Sequence, residues 1–228
     1  MNDIGKSILA LIISLTVAGI FLSLSVLNES TYIALTEESR GVEILTAIFY
    51  LFGGIIIIWG TLKSDASWLR RTMPILLGLF FIFIAGEEES WGQWIFEFST
   101  PDTIKEVNYQ GEVNIHNLDI FFGGLHAHFI LNLFILSYGV IVPLGALLSV
   151  RIKGILNYFN IPIIPVYFAP AFITAMIYEK VSRAITLPPS EVWRHTEVME
   201  FFFSVILLLF CTAFLFKNRQ INWILVGR

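Results

Sequence analysis

The chain has 228 residues, of which 56% are hydrophobic, 15% aromatic and 14% charged, and its formal net charge is −4. Soluble domains carry about 25% charged residues, so this balance excludes a water-soluble enzyme and a disordered chain, and the negative charge offers nucleic acid no basic footprint. The single cysteine, Cys211, excludes a disulfide framework and a thiolate zinc site.

With mean hydropathy +0.77, the natural unit is the membrane span of about 20 apolar residues. Residues 1–228 read as one transmembrane domain, an all-α polytopic membrane helical bundle with about six spans. In chain order the predicted spans are residues 8–27, 41–61, 73–94, 125–150, 159–178 and 198–216. The first follows Lys6 as a signal peptide would, but no small-residue cleavage site comes before the acidic 28–40 segment. An outward polar loop is expected over residues 95–124, of which 118–124 either dips into the interface or extends the fourth helix. Pro162, Pro165 and Pro170 predict that the fifth span is kinked or broken.

Orientation follows from Lys and Arg. One set of span ends holds Lys6, Lys63, Arg70, Arg71, Arg151, Lys153, Lys217, Arg219 and Arg228, nine of the fourteen. The other holds Arg40, Lys105, Lys180, Arg183 and Arg194. Cytoplasmic N- and C-termini satisfy this split. Only Asp3 and Asp65 among the acidic residues then lie inside, and all four histidines lie outside. The expected location is a bacterial inner membrane, with the polar site facing the periplasm or exterior.

Four polar clusters fall on the outer side: Glu37-Glu38-Ser39-Arg40 with Glu43; Gly86 to Trp94; Asn108 to Asn117 with His126 and His128; and Glu191, Arg194, His195, Glu197 and Glu200, with Glu179 nearby. Ionisable groups inside a span are costly, so each is a functional candidate. On a regular helix Glu191 and His195 share one face, while Glu197 and Glu200 share a nearly opposite one. Ser190 and Glu191 read as a helix start, which leaves Glu197 and Glu200 as the inward pair. Blander roles stand beside these. Arg40, Arg183 and Arg194 are ready partners for surface glutamates. The His126-x-His128 spacing suits chelation on a strand or loop better than on a helix. Asn108–Asn117 also fits an ordered polar loop whose amides satisfy its own backbone. Trp91, Trp94 and Trp193 fit an interfacial aromatic belt.

Carboxylates and imidazoles without usable thiols suit a divalent metal, Zn, Mn, Fe or Ca. Glu112 and His116 are four apart and would share a face if their loop turned helical. Such a site could activate water for hydrolysis. The expected metal ligands are Glu112, His116, Glu87, Glu88 and Glu200, with Glu87, Glu88 and Glu200 also the catalytic candidates. Glu43, Trp91, Gln93, Gln110, Asn114, His128 and Glu197 are expected around them, touching substrate or orienting the ligands. No G-x-S-x-G or H-E-x-x-H signature is present.

Gly86-Glu87-Glu88-x-Ser90-Trp91-Gly92-Gln93, Thr100-Pro101 and Asn108-x-Gln110-Gly111-Glu112-x-Asn114-x-His116-Asn117 together resemble an uncharacterised family of bacterial multi-pass membrane proteins. Glu43-x-Leu45-Thr46-Ala47 is similar to the same family, and the likeness covers roughly residues 37–117. It implies roles for Glu43, Glu87, Glu88, Trp91, Gln93, Gln110, Glu112, Asn114 and His116, but no established reaction. Glu89 departs from the pattern, which has an apolar residue there. A looser likeness to membrane hydrolases of the alkaline ceramidase type lacks their paired histidines in a late helix.

Three functions compete. The first is a metal-dependent membrane hydrolase acting on a lipid or lipid-linked substrate. The second is a non-catalytic subunit of a larger membrane complex, and the third is a cation transporter or channel. Polar groups gathered at one end favour the first two, because a transporter needs groups near the midplane.

Overall fold

The computed structural model describes residues 2–37, 41–108, 110–122, 127–186 and 193–226. Among them there is no strand, only an isolated antiparallel bridge between Asn108 and Leu118. The helices are α1 (Asp3–Leu27), α2 (Glu29–Leu35), α3 (Gly41–Leu62), α4 (Trp68–Glu88), α5 (Gln93–Phe96), α6 (Asp102–Lys105) and α7 (Asp119–Phe122). After them come α8 (Ala127–Ile135), α9 (Val142–Leu148), α10 (Val150–Tyr158), α11 (Ala169–Ile185) and α12 (Arg194–Val226). Among the described residues, five segments are long and apolar enough to cross a membrane: α1, α3, α4, Phe129–Leu148, and Arg194–Phe216 of α12. The chain is an integral, multi-pass membrane protein.

Several expected boundaries move. The first span begins at Asp3, because the Asn2 side chain accepts the Gly5 N–H at 2.9 Å and caps the helix. The third is Trp68–Glu88 rather than 73–94. Beyond Glu89, Ser90, Trp91 and Gly92 take φ of 43°, 56° and 80°, a left-handed turn that ends the right-handed helix. The fourth reaches Leu148 through a π turn at Leu136–Ile141. The fifth is broken, as its prolines predict, and its regular helix lies later than residues 159–178. Residues 161–165 are not helical, a 3₁₀ turn covers Val166–Phe168, and α11 has only 17 residues. Pro162 and Pro165 lack the N–H a helix needs there, and the Tyr138 hydroxyl donates to the freed Pro162 carbonyl at 2.5 Å. The sixth starts earlier than residue 198, at Arg194.

Position in the bundle follows from which helices can bury their surface. Helix α3 packs along α4 on one side and α12 on the other, while α1 packs on α11. Around α12, residues such as Val198, Met199, Phe203, Leu207 and Phe210 are all buried, so this helix forms the centre. Helix α1 buries only Ser14, Ala18 and Ser25, and most of its leucines and isoleucines, such as Ile8, Ile12, Leu15 and Ile20, face outward, as on a lipid-facing helix. Between α3 and α4 the backbones nearly touch. A Cβ on Gly54 would lie 2.5 Å from the Gly78 carbonyl oxygen, so both glycines are required by the approach. This arrangement brings the start of α3, the end of α4 and the start of α12 to one end of the bundle, hereafter the acidic end.

Candidate metal centre and the polar loop

The acidic end holds two separate assemblies, and the parting runs between adjacent residues of α4. Glu87 and Glu88 differ by about 100° around the helix, so they face different neighbours.

Glu87 is buried and turns to the loop. Its Oε1 accepts the Trp91 indole N–H at 2.7 Å, and its Oε2 accepts the backbone N–H groups of Ile115 and His116 at 2.6 and 3.0 Å. The His116 Nδ1 lies 3.5 Å from the same oxygen. The left-handed turn at Ser90–Gly92 folds Trp91 back over the helix it follows. Its ring then stacks edge-on against Phe83, with centroids 5.6 Å apart.

The rest of the loop is tied by its own amides. Asn108 Oδ1 accepts the backbone N–H groups of Gln110 and Glu112, each at 3.1 Å, and its Nδ2 donates to the Asn114 carbonyl at 2.9 Å. Ser90 Oγ donates to Glu112 Oε2 at 2.5 Å, and Asn114 Nδ2 donates to the same carboxylate oxygen at 3.0 Å. Gln93 Oε1 accepts the Val113 N–H at 3.0 Å, its Nε2 donates to Thr100 Oγ1 at 2.9 Å, and Thr100 donates to the Gly111 carbonyl at 2.7 Å. Asn117 donates to Gln110 Oε1. Glu112 and His116 do not lie on a helix, and their hydrogen bonds run within the loop and to its helical support. Beside them, Glu89 is half-buried, with Oε1 lacking a partner. Burial, and then the Glu112 carboxylate, push its carboxyl above the usual carboxylate range.

Glu88 turns the other way. One carboxylate oxygen from each of Glu88, Glu197 and Glu200 falls within 4.8 Å of the others, and Glu200 is buried. Glu197 and Glu200 sit three apart on α12 and so share a face. The strongest charged neighbours of Glu88 are Glu200, Glu197, Glu43 and Glu89. Three carboxylates this close, with Glu200 buried and Glu88 and Glu197 partly buried, repel one another unless a cation or shared protons lie among them. Among the described residues the donors here are all carboxylate oxygens, a hard set that suits Mn²⁺ or Ca²⁺ better than Zn²⁺.

Deeper on α3, two turns from Glu43 and on the same face, Tyr50 borders this centre. It is 1% exposed, its hydroxyl has no hydrogen-bond partner, and Glu88 and Glu200 are its charged neighbours. In the sequence Tyr50 passes for one aromatic in an apolar run. The available signal was its seven-residue spacing from Glu43.

A third polar knot lies where α2, α11 and α12 meet. His195 is fully buried between hydroxyls, with Tyr32 2.6 Å from Nδ1 and Thr186 2.7 Å from Nε2. Thr186 spends its one proton on the Ser182 carbonyl at 3.0 Å, so Nε2 donates to Thr186 and Nδ1 accepts from Tyr32. Tyr178 lies 3.2 Å from the Tyr32 hydroxyl. Burial, and next the neighbouring Tyr178, push the Tyr32 hydroxyl far above an ordinary phenol, so it stays a donor. Arg194 ties down α2 by donating to the carbonyls of Ile33 and Thr36 at 3.3 and 3.0 Å. Nearby, Glu179 is paired with Arg183 and with Lys180, the latter at 2.8 Å.

The expected site residues are therefore distributed. Glu88, Glu197 and Glu200 come together, with Glu43 in electrostatic reach. Glu87, Trp91, Gln93, Gln110, Glu112, Asn114 and His116 belong to the loop assembly. His128 lies on α8, where only its backbone is described. His126, Glu38, Ser39, Arg40, Ser190 and Glu191 lie outside the described residues. Comparison of the chain with protein-family models, curated proteins and solved structures gives no match.

Proposed function

We propose that the protein is a membrane-embedded hydrolase that works with a divalent cation and acts on a lipid or lipid-linked substrate. The observation behind this reading is the convergence of Glu88, Glu197 and Glu200 within 4.8 Å of one another, two of them partly buried and Glu200 buried. A divalent ion held there would offset the carboxylate repulsion and would supply Lewis-acid chemistry for hydrolysis. Glu88, Glu197 and Glu200 are the ligands in this reading, with Glu43 next to them. Glu112 and His116 keep the loop in place instead, because their hydrogen bonds are made there. The lysine and arginine split supports a centre that faces the periplasm or exterior.

Metal analysis of the detergent-purified protein after Mn²⁺ loading and gel filtration tests the centre. Glu200→Gln and Glu88→Gln should each lower retained Mn²⁺ at least about ten-fold, since each removes a charged ligand. Glu112→Gln and His116→Ala should keep it. Retention that survives both core substitutions but fails in His116→Ala would move the cation to the loop. For the reaction, a panel of fluorogenic lipid esters and lipid phosphates should be cleaved by the Mn²⁺-loaded wild type and not by Glu200→Gln. No cleavage of any of them would defeat the hydrolase reading while leaving the metal centre standing.

A further inference from the structure

We infer that Tyr50 receives an uncharged oxygen of the substrate, so that the centre takes a neutral acyl group, the carbonyl of a carboxylic ester or amide, rather than a phosphoryl group. The inference rests on the cation-dependent reading above and specifies its substrate. Three observations lead to it.

The first is the orphaned hydroxyl. A buried O–H without a partner costs about 1–3 kcal/mol, and Tyr50 has none. Its ring packs against Phe81, with centroids 6.1 Å apart. The hydroxyl therefore ties the fold together by no hydrogen bond. It is also a donor placed beside carboxylates that a cation would occupy, so the acceptor it lacks is an oxygen brought in with the substrate.

Charge is the second. Glu88, Glu197 and Glu200 carry three negative charges when ionised, already one more than a divalent ion neutralises, and Glu43 and Glu89 add to the field on Glu88. A phosphoryl oxygen would bring further negative charge into this excess, whereas a carbonyl brings none. Depth is the third. Glu200 stands six residues inside the start of α12, about 9 Å along the helix, and Tyr50 stands nine residues inside the start of α3. Helix Cα–Cβ bonds tilt toward the N-terminus, which directs the Tyr50 ring back toward the acidic end. The centre is thus recessed below the helix ends, where a neutral group enters at a smaller desolvation cost than a charged one.

The test uses the full chain in detergent, loaded with Mn²⁺, with 1,2-dioctanoylglycerol and inorganic phosphate as separate probes. Mn²⁺ electron paramagnetic resonance reports each probe at the ion, and calorimetry gives its affinity. Dioctanoylglycerol should perturb the wild-type signal, and Tyr50→Phe should weaken its binding about ten-fold while retaining Mn²⁺ and thermal stability. Phosphate should leave the wild-type signal unchanged. Equal affinity of wild type and Tyr50→Phe for dioctanoylglycerol, or no binding of it to Mn²⁺-loaded wild type, would overturn the inference alone. Phosphate binding that depends on Tyr50 would overturn the acyl assignment in favour of a phosphoryl substrate. Wild-type protein that holds no Mn²⁺ would instead defeat the cation reading, and this inference with it.

Discussion

Glu87 Oε2 accepts the backbone N–H of His116 at 3.0 Å, and the His116 ring stays beside the same oxygen, with Nδ1 at 3.5 Å. The end of a membrane span is thereby joined to a loop 29 residues further along the chain. Two more donors, the Ile115 N–H and the Trp91 indole, complete the acceptor's load. Glu87, one of the expected metal ligands, holds the loop through these bonds.

Replacing Glu87 by alanine should therefore release the loop without emptying the carboxylate centre. Hydrogen bonds to a charged group contribute about 1.5–3 kcal/mol each, reduced where water can replace them. A total loss of about 2–4 kcal/mol is expected. Amide exchange at Ile115 and His116 should accelerate at least about ten-fold, while retained Mn²⁺ stays at the wild-type level. Unchanged exchange at those two amides would refute the latch.

The contact between α3 and α4 makes a second, purely steric prediction. A methyl group at Gly54 meets the Gly78 carbonyl at 2.5 Å, and that backbone atom cannot rotate away. Gly54→Ala should cost about 1–3 kcal/mol through overpacking, read as a lower unfolding midpoint in detergent. Gly19, where an added Cβ would meet nothing within 4 Å, is the control. Gly19→Ala should be neutral or slightly stabilising, by up to about 1 kcal/mol from helix propensity. If both substitutions behave alike, close backbone approach does not set the helix spacing.

The spans were legible because uninterrupted apolar runs are the strongest signal a membrane protein carries. Their ends were less so. Ser90 and Trp91 adopt positive φ, which neither residue type announces, and only the latch at Glu87 and the Ser90–Glu112 bond account for it. The three prolines near residue 165 announced a break, but not that the helix would restart at Ala169. In the site, helical angles alone separated Glu197 and Glu200 from His195, since α12 is regular from Arg194. The same angles part Glu87 from Glu88. They could not say which loop each would meet, because that depends on contacts between residues far apart in the chain. Tyr50 was illegible for another reason. An aromatic in an apolar run reads as packing, and only the missing partner of its hydroxyl marks it out.

His195 provides a third prediction, since both ring nitrogens are spoken for by hydroxyls. It should act as a clamp between α2, α11 and α12. His195→Ala should leave retained Mn²⁺ unchanged but lower stability by about 2–4 kcal/mol, the loss of two buried hydrogen bonds with a cavity. Nitrogen NMR should find the proton on Nε2, because Thr186 donates onward to Ser182 and must accept from the ring. A proton on Nδ1, or loss of Mn²⁺ in His195→Ala, would show that the ring has a different role.

The last prediction concerns pH and Glu89, the carboxylate that follows Glu88 at the end of α4. Burial and the adjacent Glu112 raise its carboxyl above the usual range. A carboxyl whose folded pKa is raised favours the fold in its protonated form. Its contribution is fully present below the unfolded value of about 4.3 and is lost as pH rises through the raised folded value. Once ionised, the wild type holds a half-buried charge with one oxygen unpartnered. Glu89→Gln removes that charge at nearly constant shape, so it should raise the unfolding midpoint at about pH 7. The gain should shrink as pH falls and vanish below the unfolded carboxylate value, where the wild-type residue is itself neutral. Glu112→Gln, which removes the neighbouring charge, should reduce the benefit of Glu89→Gln at neutral pH, because the two carboxylates then no longer repel. A stabilisation by Glu89→Gln that is the same at about pH 7 and pH 4 would rule out electrostatic strain at this position, and one unaffected by Glu112→Gln would leave burial alone as its cause.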